Sequence, residues 1–111
     1  MKSAISYSDF QKLDLRVGKI LEAEMLKSSV NLIKVRVDFG KDYGEKTILT
    51  GIAKWYKPED LKDKKFIFVV NLEPKKMMDE TSEGMILCAD INGKAKLIPV
   101  NKSIPEGTLV R

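Results

Sequence analysis

The sequence contains no histidine, and Cys88 is its only cysteine. Histidine is the commonest general base and metal ligand near neutral pH, and a single cysteine cannot hold a zinc ion without other ligands. No GxGxxG or GxxxxGK[ST] phosphate-binding loop occurs either. These absences argue against an enzyme, so we expect no catalytic residue, no cofactor and no metal site.

Long apolar runs are missing too, since no stretch approaches the roughly 20 residues that a membrane-spanning helix needs. A lone cysteine cannot form a disulfide within the chain, which favours a reducing compartment. Cys88 lies in the apolar run "GMILCAD", which indicates a small buried side chain rather than a reactive thiol. With 111 residues the chain fits one domain, residues 1–111, and we expect a soluble cytoplasmic protein with no membrane partner.

The charged residues carry a mild positive excess. Twenty basic and sixteen acidic side chains give a net charge of +4 and a pI near 9.1, which favours a polyanionic partner. Seventeen of the basic residues are lysines, which neutralise phosphates as point charges but read base edges less well than arginine does. The alternative for each single lysine is that it is merely solvated.

Alternation of apolar and polar residues predicts β-strands along most of the chain. A helical turn at about 7–13, with Ser8 or Asp9 as its N-cap, is predicted to plug one end of the core, and Pro58 is predicted to begin another turn. Gly18 lies inside the first strand and indicates a bulge or bend. The predicted strands cover residues 13–26, 31–40, 45–51, 66–72, 84–91 and 95–100, with a short last strand within 103–110.

Strands at intervals of about ten residues, joined by turns, favour a small antiparallel barrel over a βαβ fold, which needs longer amphipathic helices. We therefore predict an all-β OB-fold, a five-stranded Greek-key β-barrel with short helical inserts and extra carboxyl-terminal strands. Such barrels commonly bind oligonucleotides or oligosaccharides, although the fold alone does not decide function.

Basic residues cluster at three places that a barrel can bring onto one face. The clusters are Arg16 with Lys19 on the outward side of the first strand, Lys54 with Lys57 around Trp55 and Tyr56, and Lys75 with Lys76 in "NLEPKKMM". A positive groove that contains an aromatic side chain is suited to a polynucleotide. The aromatic pair at 55–56 either stacks on bases or caps the barrel mouth.

Methionines follow the last of these clusters. Met77, Met78 and Met85 either fill gaps in the core or form part of a binding surface. Two consecutive methionines in a loop that is predicted to contain no strand cannot easily both point inward. At least one of them is therefore expected to be exposed or at an interface.

Four stretches resemble the tRNA-binding domain family, namely "FQKLDLRVGKI", "LTGIAKWYKPEDLKDK", "FVVNLEPKKMM" and "SEGMILCA". The family includes stand-alone tRNA-binding proteins, carboxyl-terminal extensions and detached β subunits of methionyl-tRNA synthetases, and endothelial monocyte-activating polypeptide II. The resemblance covers residues 9–111 and implies an OB-fold that binds tRNA by its shape and phosphate backbone, without catalysis. It also implies a homodimer with the strands at about 94–111 in the interface, and a methionyl-tRNA synthetase catalytic subunit as a candidate partner.

The most specific motifs are Asn-Leu-x-Pro-Lys-Lys-Met at 71–77 and Ser-x-Gly-Met at 82–85. We assign the lysines to phosphates and Ser82 to a phosphate or sugar oxygen. Glu83 would orient a lysine, accept from a ribose hydroxyl, or hold the loop through backbone amides. The predicted tRNA-binding residues are Arg16, Lys19, Lys54, Tyr56, Asn71, Lys75, Lys76, Met77, Ser82, Glu83 and Met85.

Two features depart from this pattern. Many relatives have a His-Pro-x-Ala-Asp-x-Leu pattern between the first two strands, where this chain has "MLKSSVNLI". In addition, "KWYKPEDLKDK" is similar to the secretion-associated chaperone branch of the same fold, which is thought to bind peptides. The alternative function is therefore peptide binding by an adaptable apolar surface of Trp55, Met77, Met78 and Met85.

Overall fold

The computed structural model describes residues 1–111 as ten strands, one α-helix and one 3₁₀ turn at Pro58–Asp60. In chain order the other elements are α1 (Tyr7–Gln11), β1 (Leu15–Met25), β2 (Ile33–Asp38), β3 (Glu45–Thr50), β4 (Lys65–Val69), β5 (Lys75–Met77), β6 (Glu80–Ser82), β7 (Met85–Ile86), β8 (Cys88–Ile91), β9 (Lys94–Leu97) and β10 (Leu109–Val110). None of the helical segments has the length and apolar character that crossing a bilayer takes.

Five strands form the barrel sheet in the spatial order β3-β2-β1-β4-β7, and every neighbouring pair is antiparallel. The long strand β1 pairs with two neighbours. Its first part pairs with β4, and its second part, from Lys19 onward, pairs with β2. A register shift between Ile20 and Glu22 bends β1 between the two partners. The predicted five-stranded OB-fold is therefore confirmed.

The barrel interior is filled by alternate residues of these strands. In β2, Ile33, Val35 and Val37 are buried, whereas Lys34 and Arg36 between them are only partly covered. This period of two places one face of each strand in the core and the other toward solvent. The apolar alternation seen in the sequence thus identified the core side of β2 correctly.

Gly18 faces the interior of the barrel, and of the predicted bulge or bend the bulge is absent there, since Gly18 pairs in regular register with Phe66. A Cβ atom built there would lie 2.5 Å from Val37 Cγ1 and 2.6 Å from the ring of Phe39. The rings of Phe39 and Phe68 meet edge to face, with centroids 5.3 Å apart. The glycine leaves room for this aromatic pair, while the bulge lies farther along β1, after Ile20.

The amino-terminal helix is present, but its cap and packing differ from the prediction. It begins after Ser6, whose hydroxyl accepts a hydrogen bond from the Asp9 amide at 3.0 Å, so neither Ser8 nor Asp9 is the N-cap. None of its residues is buried, and Tyr7 and Phe10 stack on each other. The helix lies on the surface and does not plug the core. The second predicted turn is confirmed, since proline opens the 3₁₀ segment.

The extra carboxyl-terminal strands are also present. β8 and β9 form a hairpin whose turn residues, Asn92 and Gly93, both have positive φ, 53° and 83°, as a two-residue hairpin turn requires. The stretch predicted as one strand at 84–91 is broken into β7, which pairs with β4 in the barrel, and β8, which pairs with β9 outside it. β10 then returns to the start of β1.

Cys88 lies in β8 and is half-buried, not fully buried as predicted. Burial still raises the pKa of its thiol. A thiol with a raised pKa carries little thiolate at neutral pH, so Cys88 has the character of an inert packing residue.

Candidate nucleic-acid interface

The stretch between β4 and β7 folds into a short hairpin. β5 and β6 pair antiparallel, with Lys75 opposite Ser82 and Met77 opposite Glu80. The prediction of a loop without strands is wrong here, because three-residue strands are too short to reveal an alternation. The two turn residues, at 78 and 79, also include no glycine or asparagine to signal a hairpin.

Met78 occupies the tip of this hairpin with φ at +55°. Side chains other than glycine and asparagine rarely adopt this left-handed conformation, which costs about 1–2 kcal/mol. Met78 is 52% exposed and Met85 is 47% exposed, whereas Met77 is half-buried. The prediction that at least one of the consecutive methionines is exposed is confirmed.

Ser82 fastens the hairpin to the barrel. Its hydroxyl accepts a hydrogen bond from the Leu49 amide at 3.0 Å and donates one to the Gly84 carbonyl at 3.1 Å. The residue is only 6% exposed. A hydroxyl has one proton to donate, and here that proton is used within the protein, so the predicted bond from Ser82 to a phosphate or sugar oxygen stays a prediction that requires the Gly84 bond to break.

Glu83 has a similar supporting role. Its backbone amide donates to the Thr47 carbonyl at 2.9 Å, and its carboxylate accepts from the Thr47 amide at 3.0 Å. Of the three roles predicted for Glu83, the structure contains the last, in which the carboxylate holds a backbone amide. The two bonds cover the edge of β3 that β2 leaves open, so Ser82 and Glu83 together close the barrel beside β7.

Two further motif residues are also structural. The Asn71 side chain accepts from the Asp14 amide at 2.8 Å and donates to the Lys12 carbonyl at 2.7 Å, which ties the end of β4 to the chain before β1. A Cβ atom at Gly84 would lie 2.8 Å from the Val69 carbonyl oxygen. Gly84 is therefore a point of close backbone approach, and the motif largely builds the support of the hairpin.

The lysines of β5 are the part of the motif left to solvent. Lys75 and Lys76 are exposed, and neither is within ion-pair distance of a carboxylate. On the neighbouring strand, Glu80 instead binds Lys34 of β2 at 2.7 Å, a bond that raises the pKa of Lys34. The hairpin thus presents positive charge on β5 while its other strand is held against the barrel.

A groove of about 460 Å³ lies beside these lysines. Its lining is mixed, with the apolar side chains of Leu49, Leu72, Met77 and Met85 and the charged groups of Glu73 and Lys75. Methionine side chains adapt readily to different ligands, because the thioether is flexible and polarizable. The hairpin therefore offers an apolar surface next to a free positive charge.

The outer face of β1, β2 and β3, by contrast, has its cations paired. Arg36 binds both Glu22, at 2.9 Å, and Glu45 across the sheet. Glu24 and Lys34 lie in the same shallow depression. This face, where many OB-folds bind oligonucleotides, is a mixed-charge network in which Lys62 is the one basic residue of the depression without an ion pair.

Arg16 is separated from Lys19, contrary to the prediction that both lie on the outward side of β1. Residues three apart on a strand point to opposite faces. Arg16 binds Asp14 at 2.7 Å, lies 4.7 Å above the Tyr43 ring and donates to the Gly107 carbonyl at 3.2 Å. Its guanidinium is thus committed to contacts inside the protein.

Lys54 and Tyr56 lie on the turn after β3. The Tyr56 hydroxyl accepts from the Leu97 amide at 3.1 Å, and its ring packs against the core, so Tyr56 anchors β9. Lys54 is exposed, and the neighbouring Ala53 amide donates to the Asn31 carbonyl at 3.4 Å.

The β1–β2 loop adjoins the hairpin tip as well. A second depression is lined by residues 24–28 together with Lys34, Asp79 and Glu80. The β1–β2 loop therefore contacts both the turn that carries Lys54 and the tip of the hairpin. The remaining predicted residue, Lys19, lies elsewhere, against the carboxyl-terminal segment.

The sequence offered no signal for the pairs that fix this geometry. Lys34 and Glu80 are 46 residues apart, and Lys65 and Glu106 are 41 residues apart. Neither pair belongs to a recognisable motif. Only the folded barrel reveals which lysines are used internally and which are free.

Residues 15–109 match the family described as "Putative tRNA binding domain". The chain belongs to this tRNA-binding domain family. The match covers most of the chain, including all five barrel strands and the hairpin.

Members of the family and solved structures are similar over nearly the whole chain. The methionine–tRNA ligase of Methanothrix thermoacetophila is 46% identical over 110 residues, which are 99% of this chain and 16% of that enzyme. A MetRS related protein from Pyrococcus horikoshii is 44% identical with a TM-score of 0.94, and the match covers 99% of this chain and 100% of that one. The chaperone CsaA from Bacillus anthracis is 34% identical with a TM-score of 0.88, covering 98% and 100%.

Proposed function

We propose that this tRNA-binding domain binds tRNA by its shape and phosphate backbone and catalyses no reaction. The observation that carries the proposal is the β5 edge, where Lys75 and Lys76 are exposed and unpaired on a hairpin fixed by Ser82 and Glu83. The hydrogen bonds fix the backbone of the hairpin, while the flexible ammonium groups of Lys75 and Lys76, which leave opposite faces of β5, can hold phosphates without reading bases. Lys54, exposed on the turn that contacts the β1–β2 loop, would extend this surface.

The apolar groove beside Lys75 would add contacts to the sugar and base faces of the RNA. Met77 and Met85 line it, and Met78 projects from the hairpin tip close by. The residues that surround the lysines, Asn71, Ser82 and Glu83, act by positioning, since their polar groups are bonded within the protein.

The setting in which the domain acts is also a proposal. The chain spans about one-sixth of the length of the methionine–tRNA ligases it matches. This relation supports a role as the β subunit or accessory factor of a methionyl-tRNA synthetase, in the cytoplasm, where tRNA charging occurs. The domain would then deliver or retain tRNA for a separate catalytic subunit.

A homodimer formed through the carboxyl-terminal strands within about 94–111, β9 and β10, is consistent with the apolar side chains at these strands, and in this arrangement the connecting segment at 99–106 stays outside the interface. Ile98 and Leu109 in this region are nearly half exposed. Covering such side chains against a second copy would remove apolar area from water. A dimer would present two hairpins to one rigid RNA and so gain avidity.

The test is a titration of mixed tRNA at several salt concentrations. Each neutralised phosphate contributes a slope of about 0.7 to 0.9 in log affinity against log salt. We expect Lys75→Gln with Lys76→Gln to lower the slope by roughly 1.4–1.8. The control is Lys2→Gln with Lys41→Gln, which removes two exposed lysines far from the hairpin in sequence. A parent protein that shows salt-independent affinity, or no preference for tRNA over unstructured RNA, contradicts the proposal.

Peptide binding is the second candidate function, and the apolar groove favours it. Leu49, Leu72, Met77 and Met85 would contact apolar side chains of an extended peptide. The similarity to the chaperone CsaA from Bacillus anthracis supports this candidate. Suppression of client aggregation that is insensitive to salt, and that is lost in Met77→Ser with Met85→Ser but kept in Lys75→Gln with Lys76→Gln, would favour it over tRNA binding.

A further inference from the structure

A second group of basic side chains lies where β1 and β4 meet the carboxyl-terminal segment. Lys19 and Lys65 are directly opposite each other in the β1–β4 ladder. Like charges in this position repel each other. Glu106 compensates, because its carboxylate binds Lys65 Nζ at 3.1 Å. The hydrogen bond from Lys65 lowers the pKa of Glu106, and the charge of Lys19 adds to the effect.

Lys65 is a clamp within the fold. Its ammonium group donates to the Lys102 carbonyl at 3.0 Å and to the Ile104 carbonyl at 2.7 Å, and its side chain is only 13% exposed. With Glu106 as a third partner, all three donors of the ammonium group are used. The clamp fixes the backbone from which the Lys102 side chain extends into solvent.

An open groove of about 450 Å³ lies beside this clamp. Lys19, Lys64 and Lys102 line it, and none of them is within ion-pair distance of a carboxylate. Since Lys65 and Glu106 neutralise each other, Asp63 is the one carboxylate left to oppose three lysines. The lining therefore carries a net charge of +2.

This groove is separate from the hairpin surface. It lies at the Lys65 end of β4, whereas the hairpin follows the Val69 end. Five residues of strand span roughly 13 Å between their first and last Cα atoms. One phosphate cannot contact both groups of lysines, but an extended polyanion can.

We propose that Lys19, Lys64 and Lys102, here named the β1–β4 basic groove, bind phosphates of the same RNA that the hairpin lysines contact. This inference rests on the proposed tRNA binding. Three flexible ammonium groups, with no arginine fork and no aromatic ring among them, are suited to phosphate oxygens rather than base edges. Val100 is the only large apolar side chain in the lining, so an anchor for a protein partner is lacking.

The experiment compares salt slopes for tRNA binding by four proteins. They are the parent, Lys64→Gln with Lys102→Gln, the hairpin variant Lys75→Gln with Lys76→Gln, and the control Lys2→Gln with Lys41→Gln. Lys19 is left unchanged because it is half-buried beside Glu106. Thermal unfolding midpoints equal to that of the parent would show that each variant is folded.

We expect the groove variant to lower the slope by roughly 1.4–1.8, at 0.7–0.9 per phosphate for two phosphates. The control is expected to match the parent. If the groove variant has the same salt slope as the control while the hairpin variant has a smaller one, the groove does not bind the RNA, and the proposed function is unaffected. The groove proposal would also be overturned if the groove variant lost binding to a synthetase catalytic subunit while its salt slope for tRNA stayed equal to that of the parent. A parent that binds no tRNA contradicts the proposed function itself.

Discussion

Glu83 and Thr47 exchange two hydrogen bonds across the seam of the barrel, one through the Glu83 backbone amide and one through its carboxylate. A carboxylate here takes the place of a backbone carbonyl in the ladder. The presence of Glu83 in the motif is thus explained by the backbone of β3 and requires no contact with a ligand.

Replacing Glu83 tests this structural role. Glu83→Ala leaves the Thr47 amide without its partner, and we expect the free energy of unfolding to fall by about 1–3 kcal/mol. Glu83→Gln keeps an acceptor oxygen and is expected to cost less. Urea unfolding measures both changes. If Glu83→Ala weakened tRNA binding while leaving stability unchanged, the carboxylate would have to act on the ligand instead.

Met78 provides a second prediction, because its φ of +55° suits glycine better than methionine. We expect Met78→Gly to raise the free energy of unfolding by roughly 0.5–1 kcal/mol, since the strain exceeds the extra flexibility of the unfolded chain. Met77→Gly, in the strand beside it, is the matched control and is expected to destabilise. Thermal unfolding compares the two. A lower midpoint for Met78→Gly would mean that packing of the side chain outweighs backbone strain.

Gly18 yields a prediction about the core. An added methyl group would lie within 3 Å of atoms of Val37, Phe39 and Phe68, which cannot all retreat in a packed interior. Gly18→Ala is therefore expected to lower stability by about 1–3 kcal/mol or more. Gly51→Ala serves as the control, because a Cβ atom there meets nothing within 4 Å and its φ is not positive. Equal stability of the two variants would disprove the close packing at Gly18.

The cluster of Asp14, Arg16 and Tyr43 makes stability depend on acid pH. Burial opposes the charge of Asp14, but hydrogen bonds from Tyr43 and Arg16 outweigh burial and lower its pKa below the ordinary 3.8. Between the folded pKa and 3.8 the unfolded chain binds more protons, so stability falls as pH falls through that window. The contribution is fully present above it.

Asp14→Asn removes the titrating group of this cluster. We expect the variant to show a smaller loss of stability below about pH 4 than the parent does, because only the parent gives up a charge-assisted contact on protonation. Urea unfolding across the acid range measures this slope. Asp42→Asn, at an exposed position with no ion pair, is expected to follow the parent. Identical slopes for all three proteins would contradict the assignment.

Much of the barrel followed from the sequence alone. The alternation at 33–39 marks the buried side of β2, and the predicted strands at 84–91 and 95–100 leave between them the segment that forms the β8–β9 turn, because such signals are local. The motif at 71–85 also indicated the family, which the match over residues 15–109 bears out. The hairpin of β5 and β6 was missed, since its strands are too short for any pattern to repeat.

Only the tertiary structure shows which motif residues support the fold and which remain free for a ligand. In sequence Lys75, Ser82 and Glu83 look equally available to a ligand, yet the fold uses Ser82 and Glu83 to close the barrel and leaves Lys75 free. Arg16 and Lys19, only three residues apart, likewise lie on opposite faces of one strand. Residue type and spacing determine which strands form, because they depend on local periodicity. Which polar groups remain for a ligand depends on partners tens of residues away, which only the closed barrel brings together.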